Sequence, residues 1–208
     1  FMKKIRVICI GRQFGSGGRE IGEKLAKKLS FGYYDKELLK ISAKESGIMP
    51  ELFEKADEKP INSLLYSLSV GAQGQGAFLT GYQDYLTNDK LFLFQSDTIR
   101  KLAQRESCVI IGRCADYILR GRDDILRVFI HAPLEQRIER ICRLYDLDEK
   151  AALSLIKKTD KRRASYYGFF TDLSWGSADT YDVCVNSATL GIDGCISLLA
   201  DLAGHDNS

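Results

Sequence analysis

The sequence predicts an α/β fold in which a parallel sheet is covered by helices on both faces. Strand-like and helix-like segments alternate along most of the 208 residues, which is the order of elements that such sheets require. Two strand-like segments, 108–112 (CVIIG) and 125–132 (ILRVFIHA), are largely apolar, as strands buried on both faces are. The clearest signal is residues 5–22, where an apolar run, a glycine-rich loop and a helical pattern follow one another.

The glycine-rich loop after the first strand is the first candidate site. Gly11, Gly15, Gly17 and Gly18 allow backbone N–H groups to converge without interference from Cβ atoms. The start of the following helix adds unsatisfied N–H donors and roughly half a positive charge. The loop therefore predicts phosphate binding, and the alternative is a plain tight turn.

The P-loop pattern GxxxxGK[ST] is not met in this loop. If the GSG stretch at 15–17 is aligned with the glycine core of the pattern, Gly18 takes the lysine position and Arg19 the hydroxyl position. A one-residue insertion instead gives the lysine position to Arg19 and the hydroxyl position to Glu20. We prefer the insertion because phosphoryl transfer needs a cation there. Glu20 then either ligates Mg²⁺ or stabilises the helix dipole.

The next predicted elements are a short strand at 31–35 and a helix that ends near Ser46. Asp35 has two readings: it caps this helix, or it binds a ligand at the carboxyl end of the strand. Further on, residues 50–59 and 60–68 predict short helices. The glycine-rich segment 70–81 predicts either a mobile loop or a segment that covers substrate.

The second half of the chain repeats the alternation. A helix is predicted at 90–105, with Leu91, Phe94, Thr98 and Leu102 on its inner face. Strand 108–112 is followed by Arg113, a helix at 114–120 and strand 125–132. The last strand is predicted at 181–185 and the closing helix at 186–203.

Two consecutive helices after the fourth strand carry many cations. The first, at 133–145, begins at Pro133, and its packed side is predicted to hold Leu134, Ile138, Ile141 and Tyr145. The second, at 149–167, has Asp148 as its N-cap and is strongly basic. Arginines three residues apart on the first helix form either a solvated face or a phosphate site; they are Arg137, Arg140 and Arg143.

Composition narrows the function classes. The 30 basic and 28 acidic residues nearly balance, so the chain lacks the large positive field of nucleic-acid-binding proteins. The apolar run near the start is too short for a signal peptide or a membrane span. Six scattered cysteines without a CxxC motif predict reduced thiols, so we expect a cytoplasmic protein with no membrane partner.

Six segments together resemble the cytidylate kinase-like family, a branch of the P-loop nucleoside monophosphate kinases. They follow the family's order over nearly the whole chain: GRQFGSGGREIG (11–22), YYDKELL (33–39), VIIGRCADYIL (109–119), RVFIHAPLEQRIERI (127–141), DKRRASYY (160–167) and YDVCVNSATLGI (181–192). The resemblance implies a three-layer P-loop NTPase-type fold with a five-stranded parallel sheet. It also implies one kinase domain with its core at 3–47, 90–132 and 176–203, an NMP-binding insertion at 48–89 and a helical lid at 133–170.

The resemblance further implies transfer of the γ-phosphoryl group of ATP to CMP or dCMP, with Mg²⁺. By position, the residues that would contact ATP are Gly15, Ser16, Gly17, Gly18, Arg19 and Glu20. Those that would bind the acceptor are Asp35, Arg113, Asp160 and Arg163. The cations that would act on the transferring group are Arg19, Arg137, Arg140 and Arg163.

This chain departs from the usual family pattern at two further positions. Cys114 stands where a carboxylate is usual, and Ile156 stands where an arginine is usual. With the missing loop lysine, these departures leave two alternatives open. One is a nucleotide-binding sensor or scaffold without transfer, and the other is a P-loop kinase for another small acceptor.

Overall fold

Five parallel strands form one sheet in the computed structural model, as predicted. The structure describes the backbone of residues 4–56 and 75–204, and the side chains of residues 4–54 and 88–204. The strand order is β2-β3-β1-β4-β5, and each neighbouring pair is parallel. The strands are β1 (Val7–Arg12), β2 (Gly32–Tyr34), β3 (Cys108–Ile111), β4 (Ile125–His131) and β5 (Val183–Asn186).

Helices connect these strands and cover both faces of the sheet. They are α1 (Gly18–Leu29), α2 (Glu37–Ser46), α3 (Pro50–Ala56), α4 (Gln75–Arg105), α5 (Ala115–Ile118), α6 (Leu134–Tyr145), α7 (Glu149–Thr171) and α8 (Ser187–Leu202). In the part of the chain that the structure describes, no helix is both long and apolar enough to cross a membrane.

The central strand β1 divides the core into two layers. Ile8 and Ile10 pack on the side covered by α1 and α8. Val7 and Cys9 face the opposite side, where α4 and α7 pack. This alternation follows from the two-residue period of a strand, which sends successive side chains to opposite faces.

Helix α4 is longer than the sequence predicts, because it begins at Gln75 rather than at Lys90. The predicted glycine-rich loop is therefore wrong for residues 75–81. Isolated glycines cost a helix interior only about 1 kcal/mol each, and this stretch contains no proline. The short helix predicted at 60–68 lies outside the described residues.

The inner face of α4 is also rotated from the prediction. Leu91, Thr98 and Leu102 are buried as expected, but Phe94 is 40% exposed and Gln95 is buried in its place. The Nε2 atom of Gln95 donates to the hydroxyl oxygen of Tyr166, at 3.2 Å. A polar partner inside the core thus explains why an amide replaces a ring on this face.

The two basic helices form where the sequence places them, with one exchange of faces. Asp148 caps α7, since its Oδ1 accepts a hydrogen bond from Ala151 N at 2.7 Å, as predicted. On α6, Tyr145 is 53% exposed, although it was predicted to pack. Arg137 is buried instead, because this side of α6 faces the glycine-rich loop.

We expect Leu25→Ala to lower the free energy of unfolding by about 2–5 kcal/mol, measured by urea denaturation. Leu25 is fully buried between α1 and the sheet, so its truncation leaves a cavity. Leu144→Ala is the matched control, because Leu144 is 59% exposed and should cost less than about 0.5 kcal/mol. Equal losses in both variants would contradict this account of the core.

Candidate functional site

The loop between β1 and α1 depends on two glycines with left-handed backbone conformation. Gly15 has a φ of 84° and Gly17 has a φ of 78°, a region that residues with a Cβ rarely adopt. A Cβ at Gly15 would lie 3.0 Å from the carbonyl oxygen of Arg137. The loop can therefore pass close under α6 only because glycine occupies this position.

The carboxyl ends of β4 and β5 hold the loop in shape. Gln13 donates its backbone N–H to Ile130 O at 3.0 Å, and its side-chain oxygen accepts from Ala132 N at 3.2 Å. The Ser16 hydroxyl donates to Gln13 O at 2.9 Å. Ser187, the first residue of α8, donates its hydroxyl to Ser16 O at 2.6 Å. The loop is thus anchored to its neighbours before any ligand binds.

An ion pair between helices α6 and α7 lies against the loop. Asp160 Oδ1 accepts from Phe14 N at 2.7 Å, and its Oδ2 pairs with Arg137 Nη1 at 2.5 Å. The same Arg137 atom donates to Phe14 O at 3.2 Å. Helices α6 and α7 therefore share one charged contact with the loop backbone.

Two more arginines, one from α6 and one from α7, lie around the loop. Arg163 Nη1 donates to Arg12 O at 3.1 Å. The guanidinium carbon of Arg140 lies 3.5 Å from the position of a Cβ built on Gly17, and its Nη2 pairs with Glu20. Hydrogen bonds from Lys24 and then Arg140 lower the pKa of Glu20, so its carboxylate is charged at neutral pH.

A second charged cluster lies at the carboxyl ends of β2 and β3. Asp35 Oδ1 pairs with Arg113 Nη1 at 3.3 Å, and its Oδ2 pairs with Arg19 Nε at 3.0 Å. The Arg113 side chain is only 2% exposed, whereas that of Arg19 is 65% exposed. The Asp35 carboxylate raises the pKa of Arg19. Asp35 is therefore an ion-pair partner, and α2 has Lys36 rather than Asp35 at its N-cap.

The backbone at Arg113 is in an uncommon conformation. Gly112, Arg113 and Cys114 have φ values of 69°, 55° and 56° in succession. Left-handed residues other than glycine cost about 1–2 kcal/mol each, and such strain concentrates at functional sites. Gln95 Nε2 approaches Arg113 O at 3.5 Å, and the Cys114 side chain packs in the core. These contacts hold the turn that presents Arg113 at the end of β3.

The structure thus brings the predicted residues into two neighbouring groups. The group around the loop consists of Glu20, Arg137, Arg140, Asp160 and Arg163. In the second group, Arg19 joins Asp35 and Arg113. Among the described side chains, no cluster of three or more histidine, cysteine or acidic residues could hold a metal ion. Mg²⁺ in kinase sites needs only one or two carboxylates, since the phosphates supply the other oxygens.

Sequence reasoning missed four residues of this site: Arg12, Gln13, Gln95 and Ser187. Gln13 and Ser187 act through hydrogen bonds to backbone atoms, which leave no periodic signal in the sequence. Gln95 was hidden within an apolar helical pattern. Arg12 could have been noticed, because the P-loop pattern has its first glycine six residues before the lysine. When Gly18 takes the lysine position, Arg12 stands where that first glycine belongs.

Comparison with known sequences identifies the family that this chain matches. A sequence model described as the cytidylate kinase-like family matches residues 7–189. A cytidylate kinase from Methanosarcina mazei is 32% identical over 89 residues, which are 40% of this chain and 47% of that protein. The match therefore spans about half the length of that curated relative.

Solved structures support the fold over nearly the full chain. An uncharacterized protein from Eubacterium ventriosum is 28% identical, with a TM-score of 0.70 over 96% of this chain and 99% of that one. A shikimate kinase from Bacteroides thetaiotaomicron is 15% identical, with a TM-score of 0.53 over 95% of this chain and 98% of that one. The second likeness shows the fold alone.

We expect Asp160→Asn to lower the free energy of unfolding by about 3 kcal/mol, because it leaves the Arg137 charge without its partner. Asp172→Asn is the matched control at the C-cap of the same helix, an exposed left-handed position where asparagine is tolerated. The control should change stability by less than about 0.5 kcal/mol in urea denaturation. If both variants unfold at the same denaturant concentration as the parent, the ion pair does not stabilise the loop.

Proposed function

Because the chain belongs to the cytidylate kinase-like family, we propose that it transfers the γ-phosphoryl group of ATP to CMP or dCMP. One observation carries the proposal: two cationic sites lie side by side at the carboxyl ends of the neighbouring strands β1 and β3. Ligands of such sheets bind at these strand ends. Arg19 links the two sites, since it begins in the loop helix and pairs with Asp35.

The glycine-rich loop is the proposed donor site. The first N–H groups of α1 have no carbonyl partner within the helix, so they can bind phosphate oxygens. The candidates for this contact in the loop and the first turn are Gly15, Ser16, Gly17 and Gly18. The backbone N of Ser16 lies 3.3 Å from Gln13 O, and its N–H would exchange this partner for phosphate. Arg140 and Arg163, which lie around the loop, supply positive charge for the β- and γ-phosphates.

The cluster at β2 and β3 is the proposed acceptor site. The rigidly held Arg113 guanidinium can bind two oxygens of a monophosphate at once. Asp35 keeps Arg113 and Arg19 in place beside this phosphate. Asp160 and Arg163 were expected to recognise the acceptor as well. Both lie against the loop, and their role towards the acceptor stays a proposal.

Phosphoryl transfer would then depend on positioning and charge stabilisation. Arg19 lies between the two sites, so we assign it to the transferring group from the acceptor side. Arg137 and Arg140 hold the lid helices over the loop, and closure of this lid would exclude water that could hydrolyse ATP. Insertion 48–89 would complete the acceptor site.

Mg²⁺ is the implied metal, and Glu20 is the carboxylate that fits it. Glu20 is ionised and lies in the first turn of α1, next to the loop. Oxygen ligands of this kind suit Mg²⁺, which would neutralise phosphate charge. Stabilisation of the helix dipole is the other role open to Glu20. The cysteines are free thiols, which suits the proposed cytoplasmic location.

We expect the protein to form ADP from ATP when CMP or dCMP is supplied, and only slowly without an acceptor. A coupled assay across CMP, dCMP, UMP and AMP, with a no-acceptor control, measures this. ATP binding without turnover on any acceptor would identify a sensor or scaffold. Turnover with a different acceptor alone would keep the kinase and reject the cytosine preference.

We expect Arg113→Ala to raise the KM for the acceptor by about 10–100-fold, since a hydrogen bond to a charged group contributes about 1.5–3 kcal/mol. The KM for ATP should stay within about threefold, because the loop does not depend on this residue. Arg113→Lys tests geometry, since lysine keeps the charge but loses the planar fork. Arg120→Ala is an exposed control. Equal losses on both substrates would refute the assignment of Arg113.

A further inference from the structure

The loop contains the residue types of a P-loop with two positions exchanged. When the pattern GxxxxGK is aligned with residues 12–18, Gly17 matches the second glycine. Arg12 then stands at the position of the first glycine, and Gly18 stands at the position of the lysine. This chain therefore has its cation at the first position of the pattern and a glycine at the last, the reverse of a P-loop.

The structure brings these two positions into direct contact. A Cβ built on Gly18 would lie 2.6 Å from Arg12 Cβ and 3.2 Å from Arg12 Cγ. Separations below 3.0 Å do not occur between real side chains, so only one of the two positions can carry one. A P-loop gives this space to the lysine at the second position, and this chain gives it to Arg12.

Arg12 is well placed to act at the loop. It ends β1 on the same face as Ile8 and Ile10, the face that α1 covers. Arg12 is 8% exposed, so the base of its side chain lies beneath the first turn of α1. The lid residue Arg163 donates to its carbonyl oxygen, at 3.1 Å. Arg12 thus lies between the loop helix and the lid.

Arg19, the other candidate for the missing lysine, is committed elsewhere. Its Nε lies 3.0 Å from Asp35 Oδ2, at the end of a different strand. Its side chain is also 65% exposed, whereas Arg12 is 8% exposed. The register with an insertion, which the sequence favours, therefore places a cation on the acceptor side of the loop.

We propose that Arg12 is the phosphate-binding cation of the loop and that it replaces the P-loop lysine. This assignment rests on the proposed function, because it concerns the phosphates of the same donor. A guanidinium at this position binds two phosphate oxygens at once, where an ammonium acts as a point charge. Gly18 is then required because a side chain there would occupy the space of Arg12.

The test exchanges the two positions. Arg12→Gly and Arg12→Gln remove the charge, Gly18→Lys adds a side chain against Arg12, and the double variant Arg12→Gly/Gly18→Lys restores the order of a P-loop. Binding of inorganic tripolyphosphate is measured by calorimetry, and ADP formation by the coupled assay. Circular dichroism and urea denaturation show which variants are folded.

We expect Arg12→Gln and Arg12→Gly to lose about 100-fold in kcat/KM, the loss typical of one preorganised electrostatic donor, and to bind tripolyphosphate more weakly. Gly18→Lys alone should be destabilised by the clash with Arg12. The double variant should regain tripolyphosphate binding and most of the turnover. A folded Arg12→Gln variant with parental binding overturns the proposal, and so does a double variant no better than Arg12→Gly.

The binding measurement separates this proposal from the proposed function. If the parent binds tripolyphosphate through Arg12 but forms no ADP with any acceptor, the kinase activity is rejected and the role of Arg12 stands. If the parent forms ADP and the Arg12 variants do so equally well, the role of Arg12 is rejected and the kinase stands. Arg122→Gln, outside the loop, should match the parent in both measurements.

Discussion

The ion pair between Arg137 and Asp160 is the interaction on which the rest of the site depends. It joins one residue from each of helices α6 and α7 to the backbone of the glycine-rich loop. A buried ion pair is stabilising only when hydrogen bonds satisfy its remaining atoms. Here Phe14 N–H donates to the second carboxylate oxygen and Phe14 O accepts from Arg137 Nη1, while Arg137 Nε is buried without a partner among the described residues. The loop backbone and helices α6 and α7 therefore fix each other's position at the expense of one unsatisfied donor.

Pairing with carboxylates is how the chain keeps so many arginines close together. Asp35 separates Arg19 from Arg113, Asp160 partners Arg137, and Glu20 partners Arg140. Without these acids, the like charges of neighbouring guanidinium groups would repel one another. A polyphosphate would bring additional negative charge to the same guanidinium groups. Ligand affinity therefore reflects an exchange of partners rather than the filling of an uncharged cavity.

The site also shows why a single departure from a motif is a poor guide to the charge around a loop. Read alone, the missing lysine suggests a loop that has lost its cation. In the folded chain, Arg12, Arg140 and Arg163 all lie close to that loop, and each comes from a different element. The charge at a phosphate site depends on all the groups around it, so a cation from another element can replace a missing lysine.

The sequence by itself determined the order of the strands along the chain, the glycine-rich turn and the candidate residues at the strand ends. These follow from local signals: apolar runs, glycine placement and the rule that parallel strands share one carboxyl edge. Asp35 and Arg113 were correctly expected at this edge. The sequence left Asp35 a choice between capping a helix and binding a ligand, and its contacts show an ion-pair partner that does not cap α2.

Only the tertiary structure decided which side chains meet at the loop. Arg137 and Asp160 contact Phe14 across 123 and 146 positions of sequence, and the contact between Arg12 and Gly18 needs the exact close approach of strand and helix. Periodicity assigned Arg137 to either a solvated face or a phosphate site and Phe94 to the core, because it reports an element's own pattern and not what packs against it. The long-range packing of α6 and α7 over the loop supplied that information.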